Sequence, residues 1–427
     1  MLNKYDFFDS ADVTDNQLLI PQYRGNSIVN LMSSIRIARG GKSSAKSSAL
    51  VHPELSSLPA SEIAGSKNII LLVIDGLGYE FLKRHGKKSF LYSRLRSRMT
   101  TVFPTTTSSA IATFVTGLSP QEHAITGWFM YLKEVGIVSA ILPFCPRNGG
   151  VPFGRRLAEK IFDQPVIYDS IKARSFIVMP TTIVNSDYTV ANSGRAKRIG
   201  YTKSRKSENP SDLKGMFKAI HKAIRSPGKT LGKTPGKTYV YAYWPDFDTT
   251  CHTFGPSSKK ALSHFKKMDK LIGGFLRSLE ATSTTVIITA DHGQIATRAS
   301  HVVRVRNHPL LKDALILPLC GEQRAAYCYL HPGKARQFER YVKKKLGAVC
   351  SIHKSQSLVK KGLFGAGFGV GKVHPKLLDR IGHYILIMKD DYIIADALAG
   401  RKEHIFKGIH GGLSKEELFV PLIVAQA

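Results

Sequence analysis

Carboxylate and imidazole side chains occur in four separated segments of this 427-residue chain. Three of the segments directly follow runs of apolar or β-branched residues, and the fourth lies close to the last residue. The candidate ligands are Asp75, then Asp248 and His252, then Asp291 and His292, and finally His410. Three carboxylates and three imidazoles, with no thiolate required, form a ligand set that suits zinc, with manganese and iron as alternatives.

The spacing within the second segment favours a shared ion. Asp248 and His252 are four residues apart, so their side chains meet on one face if this segment forms a helical turn. Asp246 is a further candidate, although its spacing to His252 suits one helical face less well. Taken singly, an Asp-Gly or His-Gly pair is usually a turn, and a lone histidine is usually structural. The prediction of a metal site therefore depends on the joint occurrence of the four segments.

Hydroxyl side chains cluster between Val102 and Ala110, where three consecutive threonines precede two serines. A helix is predicted to follow, over residues 110–116. A hydroxyl at a helix N-terminus lies among free backbone N–H groups, which suit phosphate oxygens. The alternative interpretation is that these residues only cap the helix. Taken with the metal ligands, however, the cluster is a candidate source of a nucleophile.

Three buried strands are predicted to position these side chains. The runs Asn68–Ile74, Thr238–Tyr243 and Thr284–Thr289 are typical of strands that are covered on both faces of a mostly parallel sheet. Apolar residues at helical spacing between Lys259 and Leu279 predict a helix. Alternating strands and helices indicate a layered α/β domain, in which ligands bind beyond the carboxyl ends of the strands.

The composition along the chain predicts three kinds of region. Residues 1–67 are expected to be an N-terminal arm that is partly flexible, because residues 24–67 are rich in Ser, Gly and Lys. Residues 68–427 are expected to form one catalytic domain. Insertions at about residues 145–238 and 300–385 are expected to form a smaller cap on this domain.

The motifs and their order resemble the nucleotide pyrophosphatase/phosphodiesterase branch of the alkaline phosphatase superfamily, and most closely its bacterial and archaeal type I phosphodiesterases. The resemblance runs from about residue 68 to the C-terminus. It rests on Val73-Ile74-Asp75-Gly76, Phe103-Pro104-Thr105-Thr106-Thr107, Thr116-Gly117-Leu118-Ser119-Pro120, His123-Ala124-Ile125-Thr126-Gly127-Trp128, Asp248 with His252, Asp291-His292-Gly293, and His410-Gly411-Gly412.

This resemblance implies an α/β/α sandwich with a mostly parallel, alkaline phosphatase-like central sheet. It implies one divalent ion held by Asp248, His252 and His410, and a second ion held by Asp75, Asp291, His292 and the nucleophile Thr107. Thr106 is the alternative nucleophile, because the run of three threonines leaves a possible shift of one residue. The implied activity is hydrolysis of phosphodiester or phosphoanhydride bonds through a covalent phosphothreonine, with a small phosphorylated substrate such as a nucleotide.

Two other functions remain open from the sequence. A phosphomonoesterase or phosphonate hydrolase would use the same metal site. Diesters are nevertheless favoured, because no arginine that could clamp a phosphate lies between Thr107 and Pro146. A non-catalytic basic polyanion-binding protein is the alternative from another class, but three clustered carboxylates without cations would repel one another.

Charge and cysteine usage suggest the surroundings of the protein. The 62 Lys and Arg against 31 Asp and Glu give a formal charge of +31, which favours nonspecific contact with polyanions. The five cysteines contain no CxxC pair and indicate a reducing compartment. No signal peptide and no apolar run long enough to span a membrane are recognised, so a cytoplasmic location is expected.

Overall fold

The computed structural model describes residues 18–41, 52–202, 212–226, 236–366, 372–398 and 405–427. Its strands are β1 (Asn68–Ile74), β2 (Leu95–Thr100), β3 (Phe129–Leu132), β4 (Ile137–Ala140), β5 (Cys145–Pro146), β6 (Arg174–Pro180), β7 (Lys197–Tyr201), β8 (Thr238–Trp244), β9 (Thr284–Thr289), β10 (Ile295–Ala296), β11 (Val302–Arg304), β12 (Cys320–Gly321), β13 (Ala325–Cys328), β14 (Cys350–Lys354), β15 (Tyr384–Met388), β16 (Ile393–Ala395), β17 (Gly408–Ile409) and β18 (Phe419–Gln426).

The α-helices are α1 (Ile28–Ala38), α2 (Ala60–Ala64), α3 (Tyr79–His85), α4 (Phe90–Ser93), α5 (Thr107–Thr116), α6 (Pro120–His123), α7 (Arg155–Ile161), α8 (Ile167–Ser170), α9 (Asp187–Ala191), α10 (Leu213–Arg225), α11 (Asp246–Phe254), α12 (Lys259–Arg277), α13 (Pro309–Ala314), α14 (Ala335–Leu346), α15 (Ser355–Lys360), α16 (Leu377–Arg380) and α17 (Lys415–Leu418). Short 3₁₀ helices cover Ala299–His301 and Val305–Asn307.

The large sheet has seven strands in the order β2-β18-β9-β1-β8-β6-β7. The neighbours from β9 to β7 are parallel, and β18 runs antiparallel to both β9 and β2. All residues of β1, β8 and β9 are buried, as the continuous apolar runs predict for strands covered on both faces. The predicted α/β/α class with a mostly parallel central sheet is confirmed.

Register brings the ends of three strands to the same level. Ile74 of β1 lies opposite Trp244 of β8, and Val73 lies opposite Thr289 of β9. The chain therefore leaves these adjacent strands at one edge of the sheet, where the acidic and histidine segments begin. This is the edge at which open α/β sheets bind ligands.

A second sheet of seven strands forms a smaller layer, which we call the cap. Its order is β14-β15-β13-β12-β3-β4-β5, and its pairs are antiparallel. A separate cluster of buried apolar side chains, including Phe338, Val342 and Leu386, packs α14 against this sheet. The cap thus has its own small core beside the larger one.

The strands that form the cap differ from those expected from the composition of the two insertions. Within residues 145–238, β6 and β7 belong to the large sheet, and only β5 belongs to the cap. The cap instead takes β3 and β4 from residues before 145 and β12 to β15 from the later insertion. The insertion expected from residue 145 therefore included β6, whose residues Phe176–Met179 are buried in the large sheet.

Part of the expected N-terminal arm is packed into the core. Residues 1–17 and 42–51 lie outside the described part of the chain, but α1 is almost completely buried and contacts α5. Its buried residues Ile28, Leu31, Met32 and Ile35 follow helical spacing. The Ser, Gly and Lys content of the whole region obscures this apolar stripe, so the sequence alone predicted an arm here.

Leu31→Ala is expected to destabilise the protein by about 2–5 kcal/mol, because it would leave a cavity at a side chain that is 0% exposed. Ile37→Ala on the same helix is the matched control, since Ile37 is 38% exposed. Chemical denaturation of both variants measures the difference. Equal, small losses would show that α1 is not part of the cooperative core.

None of the helices in the described ranges is both long and apolar enough to cross a membrane. All five cysteines are described, and each carries a free thiol.

Candidate metal and nucleophile site

The predicted ligands converge at the carboxyl edge of the large sheet. Asp75 directly follows β1, and Asp291 and His292 follow β9 after a single residue. Helix α11 follows β8 and carries Asp248 and His252 on one face, as their spacing predicts. His410 follows β17, which pairs with β10 next to the Asp291–His292 segment.

One cluster contains Asp75, Asp291, His292 and Thr107. The Nε2 atom of His292 lies 3.4 Å from Asp75 Oδ1 and 3.3 Å from Asp291 Oδ2. Thr107 is the first residue of α5, and its Oγ1 lies 3.2 Å from the same Nε2. Thr106 instead occupies the N-cap position of α5. Thr107 is therefore the hydroxyl in contact with the predicted ligand set.

A second cluster adjoins the first. His252 Nε2 lies 3.2 Å from Asp248 Oδ2 and 3.2 Å from His410 Nε2. His410 Nε2 lies 3.9 Å from Asp248 Oδ1. The rings of His410 and His292 stack with centroids 3.6 Å apart, so the ligand atoms of His292 lie within reach of both clusters. All six predicted ligands are thus brought together.

Backbone carbonyls orient the three imidazoles. The Nδ1 atoms of His252 and His410 lie 2.7 Å from Gly408 O and 2.9 Å from Thr105 O. His292 Nδ1 lies 3.1 Å from Gly293 O. Because a carbonyl only accepts, each Nδ1 carries a proton, so Nε2 is the ring nitrogen that a neutral imidazole offers to a metal. Such outer contacts are typical of histidines that bind metals.

The carboxylates are also held from behind. Tyr243 Oη donates a hydrogen bond to Asp75 Oδ2, and Gln294 Nε2 donates one to Asp248 Oδ1. The N–H groups of Gly76 and His292 donate to Asp291 Oδ1 at 3.1 and 3.0 Å. One oxygen of each carboxylate is therefore occupied by the protein, and the other faces the cluster.

The donor set fits divalent cations. Within the described ranges, Asp75 Oδ1 and Asp291 Oδ2 are buried and have no hydrogen-bond partner. The Nε2 atoms of His252 and His410 face each other at 3.2 Å. Buried, unpaired anionic oxygens are costly unless positive charge lies between them. The residues present thus supply the oxygen and nitrogen ligands that a pair of ions requires.

The electrostatics of the cluster reflect this crowding. Burial, followed by repulsion from Asp291 and Asp248, raises the pKa of Asp75 well above its usual value. Burial also holds the pKa of His410 well below its usual value, with the neighbouring His292 adding to the effect. For Asp248, burial acts to raise the pKa, but the charge and hydrogen bond of His252 together with the charges of His410 and His292 outweigh it, so the pKa is lowered. His410 is therefore neutral near pH 7, as a metal ligand must be.

A cavity of about 730 Å³ opens above the cluster, between the large sheet and the cap. Its size is that of a typical small-molecule site. Thr107, Asp248, His252 and His410 line it together with neighbouring residues of the large domain and with cap residues such as Glu322. Trp128, Phe129 and Phe406 supply aromatic surface to its wall, whereas Trp244 is fully buried and stacks on Tyr201.

Several residues of the site were not foreseen from the sequence. Tyr243 and Gln294 flank predicted ligands in the chain, and that proximity was a usable signal. Arg147 lies just beyond the arginine-free stretch and enters the pocket wall, where its guanidinium lies 4.7 Å from the centroid of the Phe129 ring. Glu322 lines the pocket from the cap, and no local motif marks it.

Comparison with known proteins agrees with this architecture. The family model for type I phosphodiesterase / nucleotide pyrophosphatase matches residues 69–413. No curated protein sequence matches the chain. The structure of murine ectonucleotide pyrophosphatase/phosphodiesterase 5 is similar at 17% identity with a TM-score of 0.60, covering 83% of this chain and 87% of that one.

The human ectonucleotide pyrophosphatase/phosphodiesterase 5 is similar at 17% identity with a TM-score of 0.61, covering 83% of this chain and 87% of that one. The structure of phosphonoacetate hydrolase from Sinorhizobium meliloti 1021 is similar at 17% identity with a TM-score of 0.60, covering 84% of this chain and 90% of that one. At this identity the structural likeness establishes the fold, and the family model establishes membership. The chain belongs to the type I phosphodiesterase / nucleotide pyrophosphatase family of hydrolases, which act on phosphodiester and pyrophosphate bonds.

Proposed function

We propose that this protein is a two-metal phosphodiesterase that hydrolyses small phosphodiesters or phosphoanhydrides through a phosphothreonine on Thr107. The observation that carries the proposal is the position of Thr107 Oγ1, 3.2 Å from Nε2 of His292 at the edge of the Asp75, Asp291 and His292 cluster. A hydroxyl in that position can attack a phosphoryl group and also lie next to a cation.

Zinc is the proposed metal, because carboxylates and neutral imidazoles form its common ligand sets. Asp75, Asp291 and His292 would hold one ion together with Thr107, and Asp248, His252 and His410 would hold the other. When bound, the two cations would lower the pKa of the nucleophilic hydroxyl and stabilise the leaving oxygen in an in-line displacement. This assignment of ligands follows the family resemblance and the distances within each cluster.

The chain's own groups perform the remaining steps. Thr107 Oγ1 loses its proton and forms a bond to phosphorus while the bond to the leaving oxygen breaks. The N–H groups in the first turn of α5 have no acceptor within the helix, so they can donate to the phosphoryl oxygens. Water then attacks the phosphothreonine, the bond between phosphorus and Thr107 Oγ1 breaks, and the hydroxyl is restored.

The similar structures support a small phosphorylated substrate. An inactive threonine-to-alanine variant of the murine protein was solved in complex with AMP. The phosphonoacetate hydrolase was solved with phosphonoacetate. A nucleotide diester or anhydride is the first candidate here. A phosphonate or phosphomonoester is the second, because Arg147 adds a cation to the pocket wall.

Hydrolysis of bis-p-nitrophenyl phosphate, p-nitrophenyl phosphate and phosphonoacetate by the zinc-loaded protein tests the proposal. At about pH 8.5, above the pKa of about 7 that burial gives Glu322, we expect the diester to be cleaved with a kcat/KM at least about tenfold higher than that of the monoester, since the ionised Glu322 adds negative charge to the pocket. Preference for the monoester or for phosphonoacetate would assign the second function. Absence of zinc-dependent turnover with all three, and with dinucleotide substrates, would contradict the proposal.

A further inference from the structure

We propose that the Glu322 carboxylate sets substrate choice by disfavouring a doubly charged terminal phosphate, so that the site selects phosphoryl groups flanked by two ester or anhydride linkages. This inference rests on the proposed function and names the feature of the substrate that the same pocket recognises. Its basis is the position of an acidic group, without an ion-pair partner among the described residues, in a pocket that must receive an anion.

Glu322 is held in a tight turn of the cap. It lies between β12 and β13, where its N–H donates to Ala325 O at 3.0 Å and Ala325 N–H donates back to Glu322 O at 3.2 Å. The preceding Gly321 has φ +76, and a Cβ atom there would lie 2.5 Å from Ala325 O. The backbone of this turn therefore requires glycine beside Glu322, which restricts where the glutamate side chain can lie.

A buried ion pair fixes the turn to the segment that carries His410. Arg324, two residues after Glu322, donates from Nη2 to Glu417 Oε2 at 3.0 Å and from Nε to Glu417 Oε1 at 3.2 Å. Both side chains are at most 2% exposed. The Gly412 N–H donates to the same Glu417 carboxylate at 2.7 Å. The cap turn and the backbone next to His410 thus share one carboxylate, so their separation is set by direct bonds.

The Glu322 side chain reaches the inner part of the pocket. Its Cβ and Cγ pack against Gly411, where an added Cβ would lie 2.5 and 2.8 Å from them. Its Oε1 accepts a hydrogen bond from Trp128 N–H at 2.6 Å. That N–H group could otherwise bind a phosphoryl oxygen, so the carboxylate both adds negative charge and occupies a donor of the pocket.

Glu322 forms no ion pair within the described ranges. Burial raises its pKa to about 7, and the nearby His252 only partly offsets this rise, so the carboxylate carries its full charge above about pH 8. Arg147 lines the same pocket, but it donates to the backbone oxygens of Leu319 and Asp396. Like charges in a partly enclosed site repel more strongly than in water. A monoester dianion meets this repulsion with one more unit of charge than a diester anion does.

The test compares bis-p-nitrophenyl phosphate with p-nitrophenyl phosphate for the zinc-loaded wild type and Glu322→Gln. Glutamine keeps the size of the side chain and an acceptor for Trp128 N–H but removes the charge. We expect the ratio of monoester to diester kcat/KM to rise by about 10- to 100-fold, the effect of one unit charge at a few ångströms. Assays at about pH 8.5 keep the monoester doubly charged, because its second pKa is close to 6.

Two further variants and one binding measurement separate charge from structure. Glu322→Asp keeps the charge and should leave the ratio within about threefold of the wild type, whereas Asp313→Asn removes a charge from the cap outside the pocket and should not change it. Calorimetry with inorganic phosphate, which needs no turnover, should show tighter binding to zinc-loaded Glu322→Gln by a similar factor.

An unchanged ratio together with unchanged phosphate affinity in Glu322→Gln would overturn the inference, and so would equal losses for both substrates in a variant that melts like the wild type. The proposed function would survive either result if the diester were still cleaved. Conversely, a wild type that binds zinc and phosphate but cleaves neither substrate would contradict the proposed function, and the phosphate affinities would still decide the role of Glu322.

Discussion

Thr107→Ala is expected to reduce diester hydrolysis by at least about 10³-fold, because it removes the only atom of this side chain that can form the bond to phosphorus. The side chain is 7% exposed, so its loss should change stability much less than activity. Zinc content should fall by less than one ion per chain, since Asp75, Asp291 and His292 remain. Steady-state kinetics, metal analysis and a thermal melt of the same preparation measure the three effects.

The neighbouring threonine provides the control. Thr106 occupies the N-cap position of α5 and lines the same pocket, but its side chain makes no capping hydrogen bond. Thr106→Ala should therefore retain activity within about tenfold and lose only about 0.5 kcal/mol of stability, the low end for N-cap residues. Thr107→Ser should keep part of the activity because it keeps a hydroxyl. If Thr106→Ala abolished turnover and Thr107→Ala did not, the nucleophile would have been assigned one residue too late.

Removal of divalent metal is expected to abolish turnover and to lower the unfolding free energy by about 4 kcal/mol per ion, the linkage value when free metal exceeds its Kd about 1,000-fold. The physical reason is the buried cluster, in which Asp75 and Asp291 have oxygens without partners within the described ranges. Without cations these carboxylates repel each other. Thermal melts and assays with and without a chelator measure both effects, and added zinc should restore them together.

Substitution of one candidate ligand should have opposite effects on zinc binding and on the stability of the metal-free protein. Asp291→Asn should bind less zinc and lose activity, yet its metal-free form should be more stable than the metal-free wild type because one of the repelling charges is gone. The control is Glu416→Gln, at an exposed ion pair with Arg84. It should leave zinc binding and activity unchanged and alter the unfolding free energy by no more than about 0.5 kcal/mol. A chelated wild type that is inactive but equally stable would favour the polyanion-binding alternative.

Local sequence patterns were sufficient for the strands and for the convergence of the candidate ligands. The runs that became β1, β8 and β9 are apolar or β-branched throughout because both faces of a central parallel strand are covered, and this leaves a pattern that is readable without a structure. The i, i+4 spacing of Asp248 and His252 is likewise a property of a single helix. Parallel strands bring their carboxyl ends together, so the convergence of these segments also followed from the sequence.

Helix α1 and strand β6 show where local composition misleads. The apolar residues of α1 lie in a region rich in Ser, Gly and Lys, and those of β6 lie within a segment that was expected to be an insertion. Whether such a short apolar run is buried depends on which distant element covers it. For α1 that element is α5, and for β6 it is helix α10.

The sequence by itself thus determined the class of fold, the set of candidate ligands and the family resemblance, because each depends on periodicity or on residues that stand next to a strand end. Only the tertiary structure decided which strands build the cap, that Thr107 rather than Thr106 contacts His292, and that Glu322 and Arg147 line the pocket. Those facts depend on contacts between residues far apart in the chain. Glu322 meets Trp128 across 194 positions, and no local pattern encodes such a meeting.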